Sequence, residues 1–219
     1  MEIEKLAQIL ILLHASFGAV ALFCGGIALI TKKGDNLHKK SGKLFYYAML
    51  ISAILAFVVS ILPNHESPFL FSIGIFSIYF LISGYRSLRY KEVGFQFLPD
   101  KIIAYLIILT GLFMITYPMI LDGKLNIVLA VFGLVGLVFG FRDISLFKDI
   151  HLLKRNWLKL HLGKMTGGYI AAVSAFFVVN QILPGIWNWF IPGIIGTVYI
   201  TYWINKLNGE KKQNNVVSE

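Results

Sequence analysis

The sequence predicts an all-α integral membrane protein of seven transmembrane helices plus one amphipathic interfacial helix. Three observations carry that reading. The composition is far more apolar than a soluble domain allows, the apolar residues fall into seven long runs, and nearly all the positive charge lies between runs on one side. Of 219 residues, 57% are hydrophobic and 14% charged, against roughly 45–50% and about 25% in soluble domains. So few charges could not cover a water-exposed surface, whereas in lipid the surface itself is apolar.

A helix needs about 20 mostly apolar residues to cross the hydrocarbon core. The first run extends from Leu6 to Thr31, the second from Leu44 to Leu62, the third from Phe69 to Leu88 and the fourth from Ile102 to Leu121. A shorter fifth goes from Leu125 to Phe141, the sixth from Leu162 to Leu183 and the seventh from Ile186 to Ile204. Acidic residues are absent from these runs, and Lys and Arg stand only at their ends. Helix is the economical conformation, because an unpaired main-chain group in lipid costs several kcal/mol.

Basic residues orient the spans. Lys32, Lys33, Lys39, Lys40 and Lys43 crowd the first loop, and Arg86, Arg89, Lys91 and Lys101 the third. Arg142, Lys148, Lys154, Arg155, Lys159 and Lys164 lie between the fifth and sixth spans, and Lys206, Lys211 and Lys212 after the last. Of the 20 lysines and arginines, only Lys5 and Lys124 fall on the other side. The expectation is a multi-pass protein of a bacterial plasma (inner) membrane, N-terminus outside and C-terminus cytoplasmic. Trp187, Trp189 and Trp203 mark the two ends of the seventh span.

Residues 1–207 read as one membrane domain, and the polar tail 208–219 as disordered. The opening Met-Glu-Ile-Glu-Lys lacks the positive start of a signal peptide, and Phe23 is too bulky for a lipoprotein site at Cys24. Between Asp143 and Leu160, apolar Leu146, Phe147, Ile150, Leu153 and Trp157 recur at helical spacing among basic residues. That pattern predicts the interfacial helix, lying on anionic lipids of the inner leaflet. The second and sixth spans end alike, Phe57-Val58-Val59-Ser60-Ile61-Leu62-Pro63 and Phe177-Val178-Val179-Asn180-Gln181-Ile182-Leu183-Pro184, and each has a histidine at its entry, His38 and His161. A 3+1+3 plan of parallel repeats would account for this.

Few residues carry chemistry. His14 is the sole ionisable group deep in a span, a functional candidate by default although a neutral imidazole also serves as interhelical glue. Gly18, one turn on, allows a close approach. His38, Arg86, Arg142, Asp143 and His161 gather at the cytoplasmic ends. Arg86 and Arg142, each closing a Gly-aromatic-Arg triplet, would bind an anionic headgroup or carboxylate, or simply anchor their spans. His38 and His161 are candidate ligands for a metal or a haem b iron.

The +9 net charge is scattered in short loops, so nucleic acid is not an expected partner. One cysteine excludes a disulfide framework. No G-x-S-x-G, H-E-x-x-H or P-loop occurs, and the spans lack the acids and nucleophiles of an embedded enzyme. Glycine pairs such as Gly136 and Gly140 serve packing, within one chain or in a homo-oligomer.

His14 with Gly18, Lys32-Lys33-Gly34, His38-Lys39-Lys40-Ser41-Gly42-Lys43, Tyr46 and Met49 resemble the opening of a family of bacterial multispan proteins known as a domain of unknown function. Gly84-Tyr85-Arg86 and the run Met165-Thr166-Gly167-Gly168-Tyr169-Ile170 resemble its bacteroidete-type members. The resemblance implies the same membrane plan and brings no activity. Histidines at span ends are also faintly similar to two-haem cytochromes of the b561 type, which pair histidines at common depths. The expected function is a small transporter or ligand-binding bundle, with a haem-binding electron carrier as the alternative.

Overall fold

Where water is missing, main-chain groups must be paired inside each segment. The computed structural model describes residues 2–217, with side chains through Gly209, and every segment it forms there is helical. Seven α-helices follow one another: α1 Glu2–Ile30, α2 Asn36–Val59, α3 Pro68–Arg86, α4 Leu98–Asp122, α5 Ile127–Leu146, α6 Ile150–Asn180 and α7 Trp187–Val217. A 3-10 turn, Ser87–Arg89, extends α3.

Local chemistry sets their ends. The side chains of Asp35, Ser67, Asn126 and Asp149 each accept a bond from a main-chain N–H three residues on, capping α2, α3, α5 and α6. Gly123, at φ 62°, closes α4 in the left-handed region that glycine enters without strain. Six of the seven helices, α1 to α6, are long and apolar enough to cross a membrane. Helix α7, with Asn188, Pro192 and several Trp and Tyr residues, is as long but more polar.

Successive helices run antiparallel, as their contacts show. His14 meets Ser52 while His38 meets Ala28, which sets α1 against α2. Gly111 meets Gly133 and Ala104 meets Gly140, which sets α4 against α5. Phe80 meets Gly167 and Gly84 meets His161, which sets α3 against α6. All the linkers rich in Lys and Arg therefore fall at one end of the bundle, called here the basic end.

Glycines let α4 and α5 touch backbone to backbone. A Cβ on Gly133 would stand 2.7 Å from the Gly111 carbonyl oxygen, and one on Gly111 would stand 2.7 Å from the Gly133 oxygen. Gly136 and Gly140 continue this face against Ile107 and Ile108. The glycine pair read from the sequence is thus spent on packing within the chain.

The structure corrects one expected element. Among the described residues no separate interfacial helix forms: the stretch from Asp143 to Leu160 is divided between the last turn of α5, a short linker and the first three turns of the 31-residue α6. Its apolar face is covered by protein rather than lipid. Leu153 and Leu160 pack with the fully buried Tyr90 and with Phe95, Phe97 and Trp157, closing over the linker between α3 and α4. A helix of this length rises roughly 46 Å, about 15 Å more than the hydrocarbon core, so it has turns to spare beyond the membrane.

The packing of the two halves differs in one of the pairs that a 3+1+3 repeat would match, while α2 with α3 and α6 with α7 both pack together. Helix α1 lies along α2 over most of its length, whereas α5 and α6, the equivalent pair, barely touch. At the C-terminus α7 continues to Val217, across a stretch whose composition suggests a tail, and residues 218–219 lie outside the described ones.

Candidate functional site

Charged side chains in a membrane bundle must find partners or reach water. At the basic half of this bundle, five elements supply a network that satisfies them. Asp143, near the end of α5, and Lys164, almost midway along α6, form an ion pair and are 3% and 2% exposed. Tyr79 of α3 donates its hydroxyl to the same Asp143 oxygen at 2.7 Å. The Lys164 ammonium also sits 4.9 Å from the centre of the Tyr79 ring, an attractive cation–π arrangement.

A second carboxylate lies alongside. Asp100, in the first turn of α4, is 2% exposed and takes two bonds from Arg86, Nε at 2.9 Å and Nη2 at 2.6 Å. Such a fork pairs two bonds in one plane. The Tyr90 hydroxyl donates to Asp100 at 2.8 Å, and Arg86 also donates to the Gln96 carbonyl at 3.0 Å. Burial first, and then the Asp100 charge, push the Tyr90 hydroxyl far above its usual pKa, so it stays a donor. The two clusters are neighbours, since Asp100 lies within electrostatic reach of Lys164 and Asp143 within reach of Tyr90. Next to them a cavity of about 280 Å³ opens at the basic end, lined by Arg86, Arg89, Phe95, Gln96 and Pro99 among others.

The arrangement balances two acids with two bases, with two phenols donating to the acids. Each buried carboxylate thus meets an opposite charge and a donating phenol inside the bundle.

The residues singled out from the sequence are distributed as follows. Asp143 and Arg86 belong to the network, in its two halves. Arg142 is exposed on α5, next to Asp143 in the chain. His14 links α1 to α2: its Nδ1 lies 2.9 Å from both the carbonyl and the hydroxyl oxygen of Ser52. Ser52 in turn donates its hydroxyl to the His14 carbonyl at 3.0 Å. Gly18 makes room for this, since a Cβ there would stand 3.4 Å from the Ser52 hydroxyl. His38 and His161 donate from Nδ1 to the carbonyls of Ala28 (2.9 Å) and Gly84 (2.8 Å).

Sequence reasoning did not single out Lys164, Asp100, Tyr79 and Tyr90. Lys164 read as one more flanking cation. Asp100 stands beside Lys101 and resembles an ordinary helix start. Nothing in the sequence pattern sets the two tyrosines apart. Asp35, Glu92 and Asp149 stand in the same basic linkers, so the sequence alone does not set Asp100 and Asp143 apart.

The fold and the network define a polytopic helical membrane protein with charges buried in its interior. Residues 11–97 match the model of a family described as "Predicted membrane protein (DUF2306)", a domain of unknown function. The matched stretch runs from α1 to the linker before α4, so it includes His14, His38, Tyr79, Arg86 and Tyr90, while Asp100, Asp143 and Lys164 lie beyond it. No curated protein matches the chain, and no solved structure does.

Proposed function

We propose that this protein is a small carrier that binds an anion at its basic end and couples that binding to protonation of Asp143. The observation behind this reading is the pairing of a wholly buried lysine with a buried carboxylate inside an apolar bundle. Lys164 in such surroundings requires a counter-charge. While Asp143 is ionised it supplies one. Once Asp143 takes a proton, Lys164 is left with an unpaired charge and recruits an anion, which first meets Arg86 and Arg89 in the cavity at the basic end. Proton and anion would then bind together and leave together. The pairs at Asp143 and Asp100 support a site within the bundle.

The same reading has α7 as a seventh span, returning the chain to the basic end. Support comes from its antiparallel packing on α6, with Ser174 donating to the Trp189 carbonyl and Ile170 against Gly196. Further support is the Lys33 ammonium over the rings of Tyr199 and Trp203 near the end of α1. With the positive charge facing the cytoplasm, a bacterial inner membrane places the N-terminus outside and sets the basic end on anionic lipid.

Charge movement on a solid-supported membrane tests the carrier. Proteoliposomes receive concentration jumps of chloride, phosphate or succinate at several pH values. At least one anion is expected to give a current that grows on acidification, lacks its pH dependence in Asp143→Asn and vanishes in Lys164→Met. A wild type silent toward all three, or a folded Lys164→Met variant that carries the wild-type current, defeats the proposal.

A further inference from the structure

The cavity at the basic end has a chemistry set by the turn that builds it. Helix α3 tightens into the 3-10 turn Ser87–Arg89, where side chains three apart stand one above the other. Arg86 and Arg89 therefore share a side, and Glu92, three further on, meets Arg89 Nε at 3.0 Å. Gly94, at φ 75°, then turns the chain back. That return brings the Phe95 ring under both guanidinium groups, whose carbons lie 4.9 and 5.4 Å from its centre. A guanidinium resting on a ring still bonds through its planar edge.

The donors left open here are specific. Arg86 spends Nε and Nη2 on Asp100 and the Gln96 carbonyl, which leaves Nη1. Arg89 spends Nε on Glu92, so among the described residues its Nη1 and Nη2 have no partner. Two parallel donors on one guanidinium match the two oxygens of a carboxylate or a phosphate, whereas a halide offers a single point.

Both arginines are already engaged by carboxylates of the chain, and the two pairs differ in permanence. Asp100 is buried, while Arg89 and Glu92 are 61% and 46% exposed, and an exposed pair of this kind holds weakly. Glu92 is thus the partner that an incoming anion replaces most easily.

Shape selects among oxyanions. At about 280 Å³ the cavity falls below the usual range of pockets for drug-sized molecules, and Val93, Phe95 and Pro99 give it an apolar side. A short hydrocarbon chain covers that side, and phosphate does not. We propose that the anion bound here is a small carboxylate with a short hydrocarbon chain, held by Arg89 in place of Glu92, with Arg86 Nη1 beside it. This names the substrate class of the carrier and rests on that reading.

The test is saturation-transfer NMR of butyrate with the purified full-length protein in detergent, which reads binding without transport. Wild-type protein is expected to transfer saturation to the butyrate protons. Arg89→Gln should weaken binding by about tenfold or more. Glu92→Gln should tighten it about two- to fivefold, because the competing carboxylate is gone. Both variants should elute as monodisperse protein, since both side chains are exposed. Succinate should displace butyrate, and equal concentrations of chloride or phosphate should not. Transfer that is absent from the wild type, undiminished in Arg89→Gln or not strengthened in Glu92→Gln overturns the inference. So does displacement by chloride or phosphate as effective as that by succinate. Currents report on the carrier separately. Bound butyrate with no succinate current defeats the carrier alone, and a chloride current in a protein that binds no butyrate defeats this inference alone.

Discussion

A lysine inside a membrane bundle stays charged either by reaching water or by meeting a carboxylate, and Lys164 does the second. Removing one partner of such a pair leaves a buried charge without compensation, at a cost of about 3–5 kcal/mol, whereas replacing both by apolar or neutral groups is often close to neutral. Asp143→Asn is therefore expected to lower the thermal unfolding temperature in detergent sharply. Asp143→Asn/Lys164→Met together should recover most of the loss, and additive losses would show that the two side chains are not coupled. The interhelical bond of His14 is smaller in scale. Ser52→Ala removes a hydroxyl that both donates to α1 and faces the imidazole, and about 1 kcal/mol of destabilisation is expected in the same melting experiment. At this scale the sequence was only partly legible. His14 stood out because it is alone in an apolar run, and its bond to Ser52 is what an interhelical glue predicts. Lys164 did not stand out, since basic residues are common beside spans and only its partner on another helix distinguishes it.

Helices were the most legible level. An all-helical chain with several membrane-length helices follows from the apolar runs, and the starts of four helices from Asp35, Ser67, Asn126 and Asp149, whose side chains cap them. The misreading at residues 143–160 has a physical cause. An amphipathic pattern records that one face avoids water, and it does not say whether lipid or protein covers that face. Here the cover is the aromatic linker around Tyr90, Phe95 and Phe97. Helix α7 is the element whose crossing rests on proposal, and cysteine labelling decides it. In a Cys24→Ala background, Lys124→Cys and Asn208→Cys, both at exposed positions, should react with a membrane-impermeant maleimide from opposite sides of the membrane. Labelling from one side would remove the seventh span.

For the whole molecule, the one-sided distribution of lysine and arginine and the helix contacts agree on a bundle with one basic end. The Asp100–Arg86 cluster adjoins the cavity at that end through Arg86, while Asp143 and Lys164 stay buried. The arrangement of these clusters was not legible, because it depends on which helices are neighbours: α3 joins α6 and α4 joins α5, and no local pattern encodes those pairings. The acids that complete the site come from α4 and α5, the linker-side ends of two otherwise apolar helices. The claim that ties residue to molecule is that Asp143 changes protonation when an anion enters. Infrared difference spectroscopy on the lipid-reconstituted protein measures this directly, by acidifying with and without the anion that gives a current. The account predicts a carboxylic acid band that appears on acidification, grows when the anion is present and is missing from Asp143→Asn. A wild-type difference spectrum identical to that of Asp143→Asn, with the anion bound, would contradict it.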